Sequence, residues 1–253
     1  MTFDSAATDQ TALVVGASRG IGLGFVRQLL ADQRFGRVYG TYRCRESAEG
    51  LLALANPRLS CLPVDVTDEV SMAEAIAQIQ ALTPQIHRAV YCVGLLHDGN
   101  FQPEKSLRHL DSENLVRSFQ TNAIGAALLA KHLLPLMKHS QPSLLAAISA
   151  KVGSIGDNRL GGWYGYRASK AALNMLMKTT ALEYARRSPN TIVALLHPGT
   201  TDTDLSQPFQ RGVPPERLFS VERTVAQLMA VMDGLGPADS GEFFNWDGTR
   251  LPW

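Results

Sequence analysis

Residues 14–25 read VVGASRGIGLGF: the end of an apolar run, then Gly16, Gly20 and Gly22 across a turn, then Ile21, Phe25 and Leu29 at helical spacing. Glycines between a strand and a helix let the backbone come close to a ligand. The amides and positive end of the new helix attract a pyrophosphate. On either side of this turn the chain alternates between two patterns. Short, almost continuously apolar stretches are TALVVG (11–16), RVYGTY (37–42), LSCLPV (59–64), RAVYCVG (88–94), SLLAAIS (143–149), TIVALLHP (191–198) and GEFFNW (241–246). Helical periodicity fills 20–33, 69–81, 113–137, 166–187 and 221–233, with a shorter helix near 47–55. The alternation predicts parallel strands joined by crossover helices, and strands apolar on both faces predict helices on both sides of the sheet. A doubly wound α/β sandwich is the expected fold.

The same residues admit a second reading. GASRG satisfies G-x-S-x-G, the nucleophile turn of α/β-hydrolases, with Ser18 as nucleophile. Those enzymes take an oxyanion donor from a loop after an earlier strand, and here only one strand precedes the motif. A serine esterase is therefore the remote alternative. The next strand ends in TYRCR, about twenty residues past the glycines, where an acidic side chain would meet the ribose hydroxyls of NAD. Arg43 stands there instead, with Arg45 close by and Arg19 inside the glycine turn. Together they suit a 2′-phosphate, so NADP(H) is preferred and NAD(H) comes second.

Tyr166 and Lys170 are spaced i, i+4 and project from one face of a helix. A cation near a phenol favours its ionised form, so the lysine is expected to lower the tyrosine pKa from its usual value near 10. Tyrosine would then exchange a proton with a carbonyl oxygen while hydride moves to or from a nicotinamide.

Composition narrows the partners. Against 24 Lys+Arg stand 23 Asp+Glu, without a block of like charge for nucleic acid or a membrane surface. No stretch approaches the roughly 20 apolar residues of a membrane span, and MTFDSAATDQ at the start lacks the basic and apolar parts of a signal peptide. A cytoplasmic location follows. Cys44, Cys61 and Cys92 are too scattered for a disulfide or zinc pattern and are expected to be buried and reduced. The histidines show no metal-ligand spacing. Met175, Met177, Met229 and Met232 are expected to pack in the core.

With these motifs in place, the sequence resembles the short-chain dehydrogenase/reductase family over nearly its whole length, most nearly its C-factor and sniffer-like carbonyl reductases. Gly16-Ala17-Ser18-Arg19-Gly20-Ile21-Gly22 is similar to the family's glycine motif, and Tyr166-Arg167-Ala168-Ser169-Lys170 to its active-site motif. The resemblance implies a Rossmann-type, seven-stranded, mostly parallel sheet in a single domain spanning 1–253. It implies that Asp65 and Val66 contact the adenine, that Asn122 supports a proton-relay water, and that Lys170 also binds the ribose. It further implies that Pro198, Gly199 and Thr200 meet the nicotinamide, with Thr203 assisting, and that the helices around 113–137 and after Tyr166 build a homodimer or homotetramer. The segment around 200–220, rich in Pro, Asp and Thr, is expected to be a variable loop over the substrate.

Two departures stand out. The usual N-N-A-G is here Tyr91-Cys92-Val93-Gly94, which keeps only Gly94. In SAKVG, with Gly153 as anchor, the family's serine position falls on Ala150, while Ser149 precedes it. Successive strand residues point to opposite faces, so Ser149 reaches a substrate oxygen only through a shifted strand end; Ser154 is the alternative. The function implied is an NADP(H)-dependent carbonyl reductase or alcohol dehydrogenase acting on a small carbonyl or alcohol, with Tyr166, Lys170, Asn122 and Ser149 as catalytic residues. Its rival is a non-catalytic NADP(H)-binding signalling protein.

Overall fold

The computed structural model describes residues 10–99 and 101–253. Asn100 and residues 1–9, on which the reading of the N-terminus falls, lie outside the described residues. Seven strands form one sheet: β1 (Gln10–Val15), β2 (Phe35–Tyr42), β3 (Leu59–Pro63), β4 (Arg88–Tyr91), β5 (Ser143–Ile148), β6 (Thr191–His197) and β7 (Phe243–Asn245). Their order is β3-β2-β1-β4-β5-β6-β7, and every neighbouring pair is parallel.

The connecting helices are α1 (Gly20–Ala31), the single turn α2 (Glu49–Leu52), α3 (Glu69–Leu82), α4 (Ser112–Phe119), α5 (Gly125–Met137), α6 (Tyr164–Arg187) and α7 (Val221–Gly234). Alternation along each strand divides the core. Leu144, Ala146 and Ile148 of β5 face Phe25 and Leu29 of α1 and Leu228 and Met232 of α7. Leu145 and Ala147 face the other layer, with Ile79 of α3, Leu133 of α5 and Leu173 and Met177 of α6. The strand order reverses between β1 and β4. In open sheets of this kind, ligands bind at the carboxyl ends of the strands beside such a reversal. At the amino ends of the strands lie ion pairs, Arg34 with Asp32 and the buried Arg88 with Asp233, both at 2.6 Å.

Helix starts separate the site from the scaffold. Asp68, Asp111 and Ser220 accept a first-turn N–H of α3, α4 and α7 through their side chains. α1 and α6 start with no capping side chain of their own. α1 follows β1 at the reversal, and α6 follows β5, one strand beyond it.

Several expectations need correction. The helix expected over 113–137 is interrupted by a π-helical turn, Gln120–Ile124, whose Thr121 carbonyl accepts the Tyr91 hydroxyl at 2.6 Å. Cys44 is exposed, and Cys61 and Cys92 are only partly buried. Met175 lies on the outer face of α6, 68% exposed, whereas Met177, Met229 and Met232 are core residues. Within the 200–220 segment read as a variable loop over the substrate, a reading left unchanged, Thr200–Thr201 pair with Leu218–Phe219 as a short parallel ribbon, with 3-10 turns at Gln207–Gly212 and Pro215–Arg217. Among the described residues no helix is long and apolar enough to cross a membrane.

Candidate active site

A cleft of about 840 Å³ opens at the carboxyl ends of the strands, between the glycine turn, the first turns of α6 and the 200–220 segment. The glycine turn is shaped by sterics. Gly16 has φ +83°, and a Cβ there would lie 2.7 Å from Val93 Cγ2; a Cβ on Gly22 would lie 2.0 Å from the Gly16 carbonyl oxygen. The turn is tied to β2 by Gly16 N–H donating to Thr41 Oγ1 at 3.1 Å and Ala17 N–H to the Thr41 carbonyl at 2.7 Å. The first amides of α1 therefore face the cleft with no side chain capping them, the arrangement a pyrophosphate needs. The residues present fit a dinucleotide.

Of the residues expected at the cofactor, the cleft wall gathers Gly16, Ser18, Arg19, Gly20, Ile21, Gly22, Arg43, Asp65, Val66, Gly94, Tyr166, Lys170, Pro198, Gly199, Thr200 and Thr203. Arg45 is not among them; it begins the 3-10 turn after β2. Arg19 pairs with Asp204 at 3.2 Å, joining the glycine turn to the 200–220 segment. Among the described residues no histidine hydrogen-bonds Ser18, which leaves the esterase reading without a base there.

Tyr166 and Lys170 share the same wall, with the Lys170 ammonium 5.8 Å from the centre of the phenol ring. Lys170 Nζ donates to the Ile148 carbonyl at 2.9 Å, which holds it at the end of β5. Burial pushes Lys170 down to about 8 and the Tyr166 phenol up to about 12. The lowering expected for the tyrosine is thus reversed: loss of hydration outweighs a lysine whose nearest partner is a carbonyl. Cys92 is pushed up by burial as well, so its thiol stays protonated.

Asn122 sits behind the wall, fully buried in the π-turn. Its Oδ1 accepts Leu95 N–H at 2.6 Å, and its Nδ2 donates to the Leu95 carbonyl at 2.8 Å and to Ser169 Oγ at 2.9 Å. Ser169 Oγ donates in turn to the Tyr166 carbonyl at 2.9 Å. One asparagine therefore joins the loop after β4 to the first turns of α6. The Tyr91 hydroxyl on Thr121 adds a second tie where N-N-A-G is missing.

The strand end at Ser149 is not shifted. Its N–H continues the ladder to the Leu196 carbonyl at 2.8 Å, and its hydroxyl donates to Asn174 Oδ1 at 2.6 Å. The hydroxyl thus stays on the α6 side of the sheet, because an unbroken strand keeps its alternation. Ser154 is buried and its Oγ accepts the Asp157 N–H. Ser149 and Ala150 both line the cleft.

Sequence reasoning missed a further set. His197 Nδ1 accepts the Lys151 N–H at 3.2 Å, and burial pushes it down to about 4, so its ring is neutral at pH 7 with the proton on Nε2. Trp163 meets Tyr166 and Phe209 edge-on, with ring centres 6.2 and 4.9 Å apart, and Phe209 meets His97 at 5.7 Å. His197 was expected only as the first residue of the HPGT stretch that resembles the nicotinamide loop; Trp163 and Phe209 carried no signal, since their meeting depends on how the 200–220 segment folds back.

Comparison with known proteins bears on this geometry. The family model described as short chain dehydrogenase matches residues 10–213. The C-signal protein of Myxococcus xanthus is 33% identical over 148 residues, 58% of this chain and 84% of that protein. Among solved structures, the NADPH-bound carbonyl reductase from chicken fatty liver superposes with a TM-score of 0.87 at 30% identity, covering 96% of this chain and 99% of that one. The carbonyl reductase Sniffer of Drosophila melanogaster gives 0.84 at 28% identity with the same coverage.

Proposed function

We infer, from the premise that the chain belongs to the short-chain dehydrogenase family, that it is an NADP(H)-dependent oxidoreductase of the carbonyl reductase type. It exchanges hydride between the nicotinamide and a small carbonyl or alcohol substrate. The observation that carries this reading is that the uncapped start of α1 and the Tyr166–Lys170 pair open into one cleft.

NADPH supplies the hydride when bound; the chain supplies the proton and the frame. Tyr166, held near 12, is protonated at neutral pH and gives its proton to the carbonyl oxygen in reduction. Lys170, near 8, keeps most of its charge at pH 7 and, anchored on Ile148, presents that charge to the ribose and the phenol. Asn122 serves through the frame it builds with Leu95 and Ser169, beside the water it is expected to support. Ser149 acts through Asn174 on the same helix. Arg43 and Arg19 read the 2′-phosphate, Asp65 and Val66 the adenine, and Pro198 to Thr200 with Thr203 the nicotinamide. Residues 1–253 work as one dinucleotide-binding domain, with 200–220 as its variable substrate loop.

A homodimer or homotetramer is supported by exposed apolar residues on the helices expected to meet a second copy: Val116, Ile124, Met175 and Leu182. A sedimentation mass of one chain at micromolar concentration would contradict it. The nearly balanced charge fits a small-molecule partner, and action in the cytoplasm goes with the reductase reading. The signalling alternative without catalysis is not favoured, since Tyr166 and Lys170 both stand in the cleft.

The test is a titration with NADPH and with NADH, followed by tryptophan quenching and energy transfer to the nicotinamide. Tighter NADPH binding is expected. Binding of neither would overturn the reading.

A further inference from the structure

The helix that carries Tyr166 and Lys170 begins without an N-cap of its own. Trp163, the residue before α6, is left-handed at φ 53° and ψ 45°, and the first turn holds no acidic residue. Its opening amides need acceptors, because no earlier turn exists to supply them. A left-handed non-glycine residue also needs surroundings that hold it there.

Both needs are met by one residue from the segment after β4. The Glu104 main-chain carbonyl accepts Trp163 N–H at 2.5 Å, and its carboxylate Oε2 accepts Gly165 N–H at 3.0 Å. Glu104 is 3% exposed. Room for the carboxylate exists only because residue 165 is glycine: a Cβ there would lie 2.9 Å from Glu104 Oε1, 3.3 Å from Leu115 Cδ2 and 3.3 Å from Ser118 Oγ. Glu104 Oε1 and Ser118 Oγ are both buried without a hydrogen-bond partner. A buried carboxylate is costly unless its charge is met, and here the positive end of α6 meets it. The result is a cap supplied from a distant segment to the catalytic helix.

Resting on the reductase reading, we propose that Glu104 is a positioning residue: it clamps the first turn of α6 so that the Trp163 ring and the Tyr166 phenol hold their places in the cleft. The same clamp extends toward the substrate loop, because Trp163 packs on Phe209, which packs on His97 at the start of the segment that bears Glu104. Glu104 is absent from the cleft wall. Its effect should therefore fall on turnover, with the cofactor site left as it is.

Three variants test this: Glu104→Ala removes the acceptor, Glu104→Asp withdraws it by one methylene, and Glu104→Gln keeps an oxygen in place without the charge. Amide exchange across 163–166, NADPH affinity, and kcat and KM for a carbonyl substrate are measured on each. Expected for Ala and Asp are at least tenfold faster exchange in that turn and a kcat about tenfold lower. KM and NADPH affinity should stay within about twofold. Gln should recover both protection and kcat. If Ala does not fold, Asp and Gln decide between them. Wild-type protection and kcat in the Ala or Asp variant, or a Gln variant as impaired as Asp, would overturn the proposal. A wild-type protein that binds NADPH but reduces no carbonyl would defeat the reductase reading alone; the exchange measurement would still decide whether Glu104 holds the turn.

Discussion

At the glycine turn, the contacts that shape the cleft centre on main-chain groups: Gly22 lies against the Gly16 carbonyl, and the Gly16 and Ala17 amides donate to the Thr41 hydroxyl and carbonyl on the next strand, with the Val93 side chain closing in from the loop after β4. At Tyr166, the supporting groups come from far along the chain: Glu104 on the helix start, Leu95 through Asn122, and Ser149 on Asn174. A phosphate asks for amides and space, which a local motif provides. A proton donor asks for one side chain at one place, which several distant segments must agree on. The first half of the cleft should therefore break by steric substitution, and the second by loss of a remote hydrogen bond.

Apart from loss of the proton donor itself, the largest effect is expected where backbone meets backbone. Gly22→Ala puts a Cβ 2.0 Å from the Gly16 carbonyl oxygen, and overpacking of this kind should weaken NADPH binding on the order of 100-fold; unchanged affinity in a titration would show that the turn yields. Next comes pH. Lys170 has a depressed pKa near 8, so its proton is held below that value and lost above it, whereas Tyr166 near 12 keeps its own. Carbonyl reduction should thus fall about tenfold per pH unit above 8, a limb that Lys170→Arg should remove in a pH–rate profile. A smaller effect belongs to the exposed arginine. Arg43→Ala should reduce the preference for NADPH over NADH by about tenfold, a charge-assisted contact weakened by solvent; equal losses for both cofactors would place Arg43 elsewhere than on the 2′-phosphate. Ser149→Ala should be smallest, lowering kcat by no more than about threefold, since its hydroxyl is spent on Asn174.

What was legible in the sequence follows the same division. Periodicity and the glycine turn were enough for the sheet and its helices, because both signals are local, whereas Asp65, Val66, Pro198 to Thr200 and Thr203 were expected at the cofactor only through the family resemblance. The π-turn at Gln120–Ile124 was hidden, since the apolar pattern runs on through it and only the Tyr91 hydroxyl on Thr121 marks the break. The tyrosine pKa was misjudged because spacing gives the nearness of Lys170 but not the depth of burial. Glu104 and Trp163 gave no signal at all: a carboxylate some sixty residues upstream becomes a helix cap only once the chain has closed. Ser149 was readable as a neighbour of the missing serine, yet its partner on α6 was not.

The measurement that bears most directly on the proposed chemistry is single-turnover carbonyl reduction by Tyr166→Phe, with NADPH affinity measured on the same protein. NADPH affinity close to wild type with turnover lowered by about 10²- to 10⁴-fold is expected of a lost proton donor. Turnover close to wild type would contradict the role assigned to Tyr166 and leave the cleft a cofactor site whose chemistry lies with other groups.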